Sequence, residues 1–134
     1  MDISRRVGNL KRRWGTADPF KICSFLKIQV NYSDLGDIKG FYKNILGKKF
    51  IVINSTLNTF DRKIVCAHEL GHCLLHSSKE IKFLLEHNNL AKHSLYENQA
   101  NEFAAHLIIE GEENEYFYSS IKSELLNEIK FYKK

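Results

Sequence analysis

His68-Glu69-Leu70-Gly71-His72 sets two imidazoles four residues apart with a carboxylate next to the first. Positions i and i+4 share one face of a helix, so both rings can reach a single metal ion. Glu69 is rotated about 100° from His68. It stands beside such an ion rather than on it, where a carboxylate can serve as a base. One Zn2+ suits the site: borderline-soft, without redox chemistry, and tetrahedral with imidazole and carboxylate donors. With six His and eleven Glu in 134 residues, chance produces the motif in about 2% of such chains, so its context has to decide. Residues 58 to 76 have helical period and are apolar on most sides, with Phe60, Ile64, Val65, Cys66, Ala67, Leu70, Cys73 and Leu74. A helix that apolar is buried, and two His and a Glu on a buried helix are costly without a metal.

Catalytic zinc takes three protein ligands and keeps a fourth position open. A third His six residues after His72 is absent, because Ser78 stands there. His76 continues the i, i+4 series but lies a turn beyond His72, and one straight helix does not easily bring three ligands to one ion. It is better read as capping the helix C-terminus or packing nearby. Glu97 is the better third ligand, because it starts a second helical segment and can approach from across the site. Asn101, four residues on and on the same face, offers Oδ1 as the acceptor that fixes an imidazole tautomer. Ala100, Ala104 and Ala105 are small enough for two helices to close around an ion. His93, Tyr96, His76 and His106 are open alternatives for stabilising an oxyanion or contacting substrate. His87 carries no argument.

The surrounding elements must position these groups. Val7, Leu10 and Trp14 recur at helical spacing among Arg5, Arg6, Lys11, Arg12 and Arg13, a basic amphipathic helix broken by Gly15-Thr16. Asp18-Pro19 opens a second helix to about residue 26, facing inward with Ile22, Cys23 and Leu26. Residues 28–32, 40–44 and 49–54 read as strands, with turns at 34–37 and 46–48. Residues 77–94 are unassigned apart from a short helix at Glu80 to Leu85. Helical spacing resumes over 95–109 with Leu95, Ala100, Phe103, Ala104, Leu107 and Ile108 and stops at Gly111. A last helix covers about 113–132. Helices, then a small meander of strands, then helices is an α+β order.

His68-Glu69-Leu70-Gly71-His72-x-x-Leu75-His76, followed by Glu97-x-x-Ala100-Asn101-x-Phe103-Ala104-x-x-Leu107-Ile108, resembles the ImmA/IrrE family of metallopeptidases. Gly15-Thr16-x-Asp18-Pro19-Phe20 and Ile51-x-Ile53-Asn54-x-x-Leu57 fit as well, so the likeness covers roughly residues 5–110. The resemblance implies a zincin-like fold: a small, mostly antiparallel three-stranded sheet packed against a metal-binding helix and surrounding helices. It implies His68, His72 and Glu97 as ligands of one zinc ion and Glu69 as catalytic base. It also implies a prophage or mobile-element antirepressor that promotes cleavage of a helix-turn-helix repressor. Many related sites carry Asp four residues after the Glu ligand. Asn101 is a neutral replacement that leaves the imidazole less basic.

Composition bounds the rest. At 134 residues, 43% hydrophobic and 27% charged, the chain is expected to be one domain over 1–134 with its own core, not a disordered chain. It has no apolar run long enough to span a membrane, and its start has no secretory h-region. Cys23, Cys66 and Cys73 have no framework spacing and fit a reducing, cytoplasmic setting as packed hydrophobes. Cys66 and Cys73, seven apart on one face, also raise redox sensitivity, with packing the preferred reading. Residues 1–50 carry a charge of +7 and residues 51–134 carry −3. The basic half is a solvated face or a surface that docks an acidic repressor. Direct nucleic-acid binding through residues 5–26 is disfavoured by Trp14 and Pro19 at the joint. A zinc-containing regulatory module that acts by protein binding alone would have no need of Glu69, whose presence favours hydrolysis.

Overall fold

Asp2 starts helix α1 (Ile3–Trp14) by accepting the Arg5 N–H at 3.0 Å, and Gly15 ends it in the left-handed region at φ 65°. Ile3 and Val7 are buried, Leu10 and Trp14 pack partly against the core, and Arg5, Arg6, Arg12 and Arg13 face solvent. Asp18 caps the short helix α2 (Pro19–Phe25) through the Phe20 N–H at 2.9 Å, and Ile22 and Cys23 enter the core. The two helices meet where Trp14 stacks on Phe25, with ring centroids 5.1 Å apart. A computed structural model describes residues 1–76 and 90–109 of the chain, with the side chains of 90–93 excepted.

The three strands are β1 (Gln29–Ser33), β2 (Gly40–Ile45) and β3 (Lys48–Asn54). β2 and β3 form the expected antiparallel hairpin, turned at Leu46 and Gly47, both at positive φ. β1 departs from a meander. It runs parallel to β3 on the opposite side, Val30 opposite Ile51, and the order is β1-β3-β2 in a mixed sheet. Burial explains the order. Ile51 and Ile53 make β3 the apolar strand that belongs in the centre, whereas β1 is largely exposed and suits an edge. Asn54 holds the crossing in place. Its buried Nδ2 donates to Gly36 O and Ile38 O, both at 2.9 Å, and its Oδ1 accepts from the Thr56 N–H and hydroxyl.

Helix α3 (Thr59–Leu75) is capped by Asn58, whose side chain accepts the Asp61 N–H. From Ile64 to Gly71 every residue is buried, because the sheet, α2 and a long helix α4 (Leu90–Ile109) enclose this stretch. Phe60, expected on the apolar face, is exposed in the first turn of α3. α4 begins five residues before its first anticipated apolar position. Leu95, the first anticipated apolar position, is itself exposed. Ala100, Phe103, Ala104 and Leu107 form the face that meets α3 and α1. Gly71 permits the closest approach: a Cβ there would meet Phe103 Cδ1 at 3.0 Å and Cβ at 3.2 Å. The helices expected at Glu80 to Leu85 and at 113–132, and the stop at Gly111, lie outside the described residues.

Candidate metal centre

His68 and His72 stand one turn apart on α3, with rings 4.8 Å apart and nearly perpendicular. α4 brings Glu97 against both. His68 Nε2 lies 3.1 Å from Glu97 Oε2, and His72 Nε2 lies 2.8 Å from Glu97 Oε1. One donor atom from each residue falls within 4.8 Å of the others. The His68 side chain is 1% exposed, against 13% for His72 and 15% for Glu97, so His68 is the deepest of the three.

The donor set fits a divalent cation. Tetrahedral zinc with bonds of about 2.0–2.1 Å keeps its ligand atoms about 3.3 Å apart, a few tenths of an ångström wider than the two contacts found here. Glu97 Oε2 is buried and has no well-formed hydrogen bond among the described residues, a vacancy in bonding that a cation satisfies. Burial pushes the Glu97 carboxyl up, but the polar contacts of the His68 and His72 rings with its two oxygens outweigh it and hold the group well below the usual carboxylate range.

Glu69, on the same turn, is 5% exposed. Burial pushes its carboxyl up to about 7; His72 pulls it down and Glu97 adds a smaller upward push. A carboxyl that gains and loses its proton near neutrality matches the requirement for an acid–base group.

The other anticipated residues divide. His76 and Tyr96 are part of the cluster, stacked with centroids 4.2 Å apart. His76 also meets His72, Nδ1 to Nδ1 at 3.1 Å, and its Nε2 meets Gln99 Oε1 at 2.8 Å. Asn101 is buried one turn beyond Glu97, but its Oδ1 accepts no hydrogen bond among the described residues. His106 sits nine residues past Glu97, about 13 Å along the helix, where its ring faces Glu102 and its carbonyl accepts from Lys11 Nζ. His93 lies on α4 with its side chain outside the described residues, as is His87 altogether. Gln99 carried no motif of its own. Its only sequence signal is the spacing of three from Tyr96, which puts both on the face of α4 that meets His76. The three cysteines are buried, with Cys23 and Cys66 sulfurs 3.8 Å apart.

A family model described as the IrrE N-terminal-like domain, of the M78 peptidases, matches residues 23–129. The chain belongs to this family. The M78 match spans β1 to β3 and both helices that carry the candidate ligands. Curated relatives include uncharacterized immunity region protein 2 of Bacillus phage phi105, 39% identical over 108 residues, which are 80% of this chain and 68% of the relative. Metallopeptidase ImmA of Bacillus subtilis (strain 168) is 30% identical over 107 residues, 80% of this chain and 63% of that protein. The chain therefore spans about two thirds of the length of these relatives. M78 membership makes this a metallopeptidase-type domain and implies a metal ion, and the α+β fold agrees. Among the described residues no helix is long and apolar enough to cross a membrane.

Proposed function

We propose that this M78 domain is a zinc-dependent endopeptidase, with His68, His72 and Glu97 holding one zinc ion and Glu69 acting as the general base. The observation that carries the reading is the convergence of two imidazole Nε2 atoms on the two oxygens of one carboxylate from a separate helix. When bound, zinc supplies Lewis-acid polarisation of the scissile carbonyl and makes water a stronger acid. Glu69 takes a proton from the attacking water at its carboxylate and passes it to the nitrogen of the departing amine. The hydroxyl group stays on the new carboxylic acid, so water is consumed and one peptide bond broken. The near-complete burial of Glu69 keeps solvent from exchanging that proton between the two transfers.

The substrate we assign is a helix-turn-helix repressor, so that the domain acts as an antirepressor of a phage or mobile element. The likeness to a phage immunity region protein and to metallopeptidase ImmA supports this reading. Metal analysis of the purified chain, paired with incubation against the repressor encoded beside it, tests both parts. Parent protein is expected to carry about one zinc and to cut the repressor at one site, and Glu69→Gln to keep the zinc and lose the cleavage. Cleavage by Glu69→Gln at the parental rate would remove Glu69 from the chemistry. Protein without affinity for zinc would overturn the site.

A further inference from the structure

His76 ends α3, its backbone extended at φ −123° and its N–H still bonded to His72 O. The ring folds back into the site and is held on three sides. Tyr96 covers one face, Gln99 Oε1 meets Nε2 at 2.8 Å, and His72 Nδ1 meets Nδ1 at 3.1 Å. The residue is 4% exposed. A histidine at the end of a helix, serving only as a cap, would keep its ring in water. This one is committed at both nitrogens.

The direction of these bonds follows from the acceptor at the far end. Gln99 Oε1 has lone pairs only, so His76 Nε2 supplies the proton. A neutral His76 ring then has its lone pair at Nδ1, which faces His72 Nδ1. His72 Nδ1 must therefore donate, and His72 Nε2, whose 2.8 Å contact with Glu97 Oε1 needs a proton between them, is the nitrogen that exchanges that proton for a cation. Residues 96, 97 and 99 of α4 thus act on one α3 turn together: Tyr96 and Gln99 fix His76, and Glu97 meets His72 directly.

We propose that His76, set by Gln99, is a positioning residue that fixes the tautomer and ring orientation of His72 for metal binding. The inference rests on the reading of His68, His72 and Glu97 as ligands. It gives His76 an orienting role at His72 of the kind that sequence spacing offers to Asn101, whose Oδ1 accepts no hydrogen bond among the described residues.

The test is zinc affinity, measured by chelator competition, joined to ring tautomers read by 15N NMR in the zinc-loaded parent. His72 is expected to carry its proton on Nδ1 and His76 on Nε2. A His76 proton on Nδ1 overturns the proposal whatever the variants do. His76→Phe keeps a ring on Tyr96 but removes both hydrogen bonds, and should weaken zinc binding about 10–100-fold. His76→Asn, whose Oδ1 can take the place of Nδ1 as acceptor, should recover most of that loss, a rescue that a merely structural role would not produce. Gln99→Leu should weaken binding several-fold, and it carries the test if His76→Phe does not fold. Parental affinity in both His76→Phe and Gln99→Leu overturns this inference alone. A parent chain that binds no zinc overturns the functional reading and this inference with it.

Discussion

Gly71 and Phe103 touch where α3 and α4 cross, so closely that a Cβ on Gly71 would stand 3.0 Å from the Phe103 ring. This contact sets the separation of the helices, and with it the reach of Glu97 to His68 and His72. Gly71→Val should destabilise the fold by about 2–4 kcal/mol through overpacking against Phe103, and should weaken zinc binding as Glu97 is pushed away. Gly71→Ala gains about 1 kcal/mol of helix propensity against a smaller clash and should stay within about 1 kcal/mol of the parent. Urea unfolding with and without zinc checks the pair, and equal effects from Ala and Val would deny the contact its role.

Glu97 is the one proposed ligand that comes from outside α3. Glu97→Gln removes its charge while keeping its shape, and should lower zinc affinity at least about 100-fold. Ligand binding to the folded state raises its melting temperature. Added zinc should therefore raise the Tm of the parent by clearly more than that of Glu97→Gln at the same zinc concentration. An equal rise in both proteins would exclude Glu97 as a ligand.

The raised Glu69 carboxyl gives metal-free protein a defined pH dependence. Folded Glu69 holds its proton up to about pH 7, whereas the ordinary value is 4.5. Between these values the folded state binds more protons than the unfolded chain, so stability falls as pH rises across that window. Glu69→Gln escapes this loss. In the presence of a chelator it should match the parent below pH 4.5 and exceed it by up to about 3 kcal/mol at pH 8. Glu97 works in the opposite sense, contributing stability that is lost as pH falls below its ordinary range, so its dependence lies on the acid side of the window in which the two proteins are expected to diverge. A stability difference that does not change with pH would refute the account of Glu69.

Asn54 holds the sheet crossing with four hydrogen bonds from a buried amide. Asn54→Leu leaves Gly36 O, Ile38 O and the Thr56 N–H without these partners and should cost about 2–4 kcal/mol. Faster amide exchange should appear in residues 36–40 before it appears in α3. Uniform exchange across both segments would mean that Asn54 is not a local clasp.

Cys23 and Cys66 are fully buried, and the hydrogen bond between them, with burial, pushes the Cys66 thiol far up. A thiol kept protonated and out of solvent is a poor nucleophile. Thiol titration of native protein should leave both cysteines unreacted until denaturant is added. Rapid reaction in the native state would reopen a redox role.

Much of this molecule is legible in one dimension because the relevant physics is short-range. Asp18-Pro19 caps a helix by a side chain two residues from the N–H it accepts, and His68 and His72 share a face by the pitch of the helix alone. Glu69 at the edge of that face, and the basic stripe of α1, follow from the same period. Glu97 could be singled out as a residue on a second helical segment, but its contact with both imidazoles depends on how α4 crosses α3, which Gly71 and Phe103 decide. The parallel pairing of β1 was hidden for a similar reason. Alternation marks a strand but not its neighbour, and the choice fell to the burial of Ile51 and Ile53 and to a loop clasped by Asn54. His76 shows the division most sharply. Its spacing after His72 made it look like a cap, since one helix cannot bend three ligands onto one ion. Its bond to His72 exists because the chain leaves the helix there, and because Tyr96 and Gln99, twenty and twenty-three residues away, close around the ring.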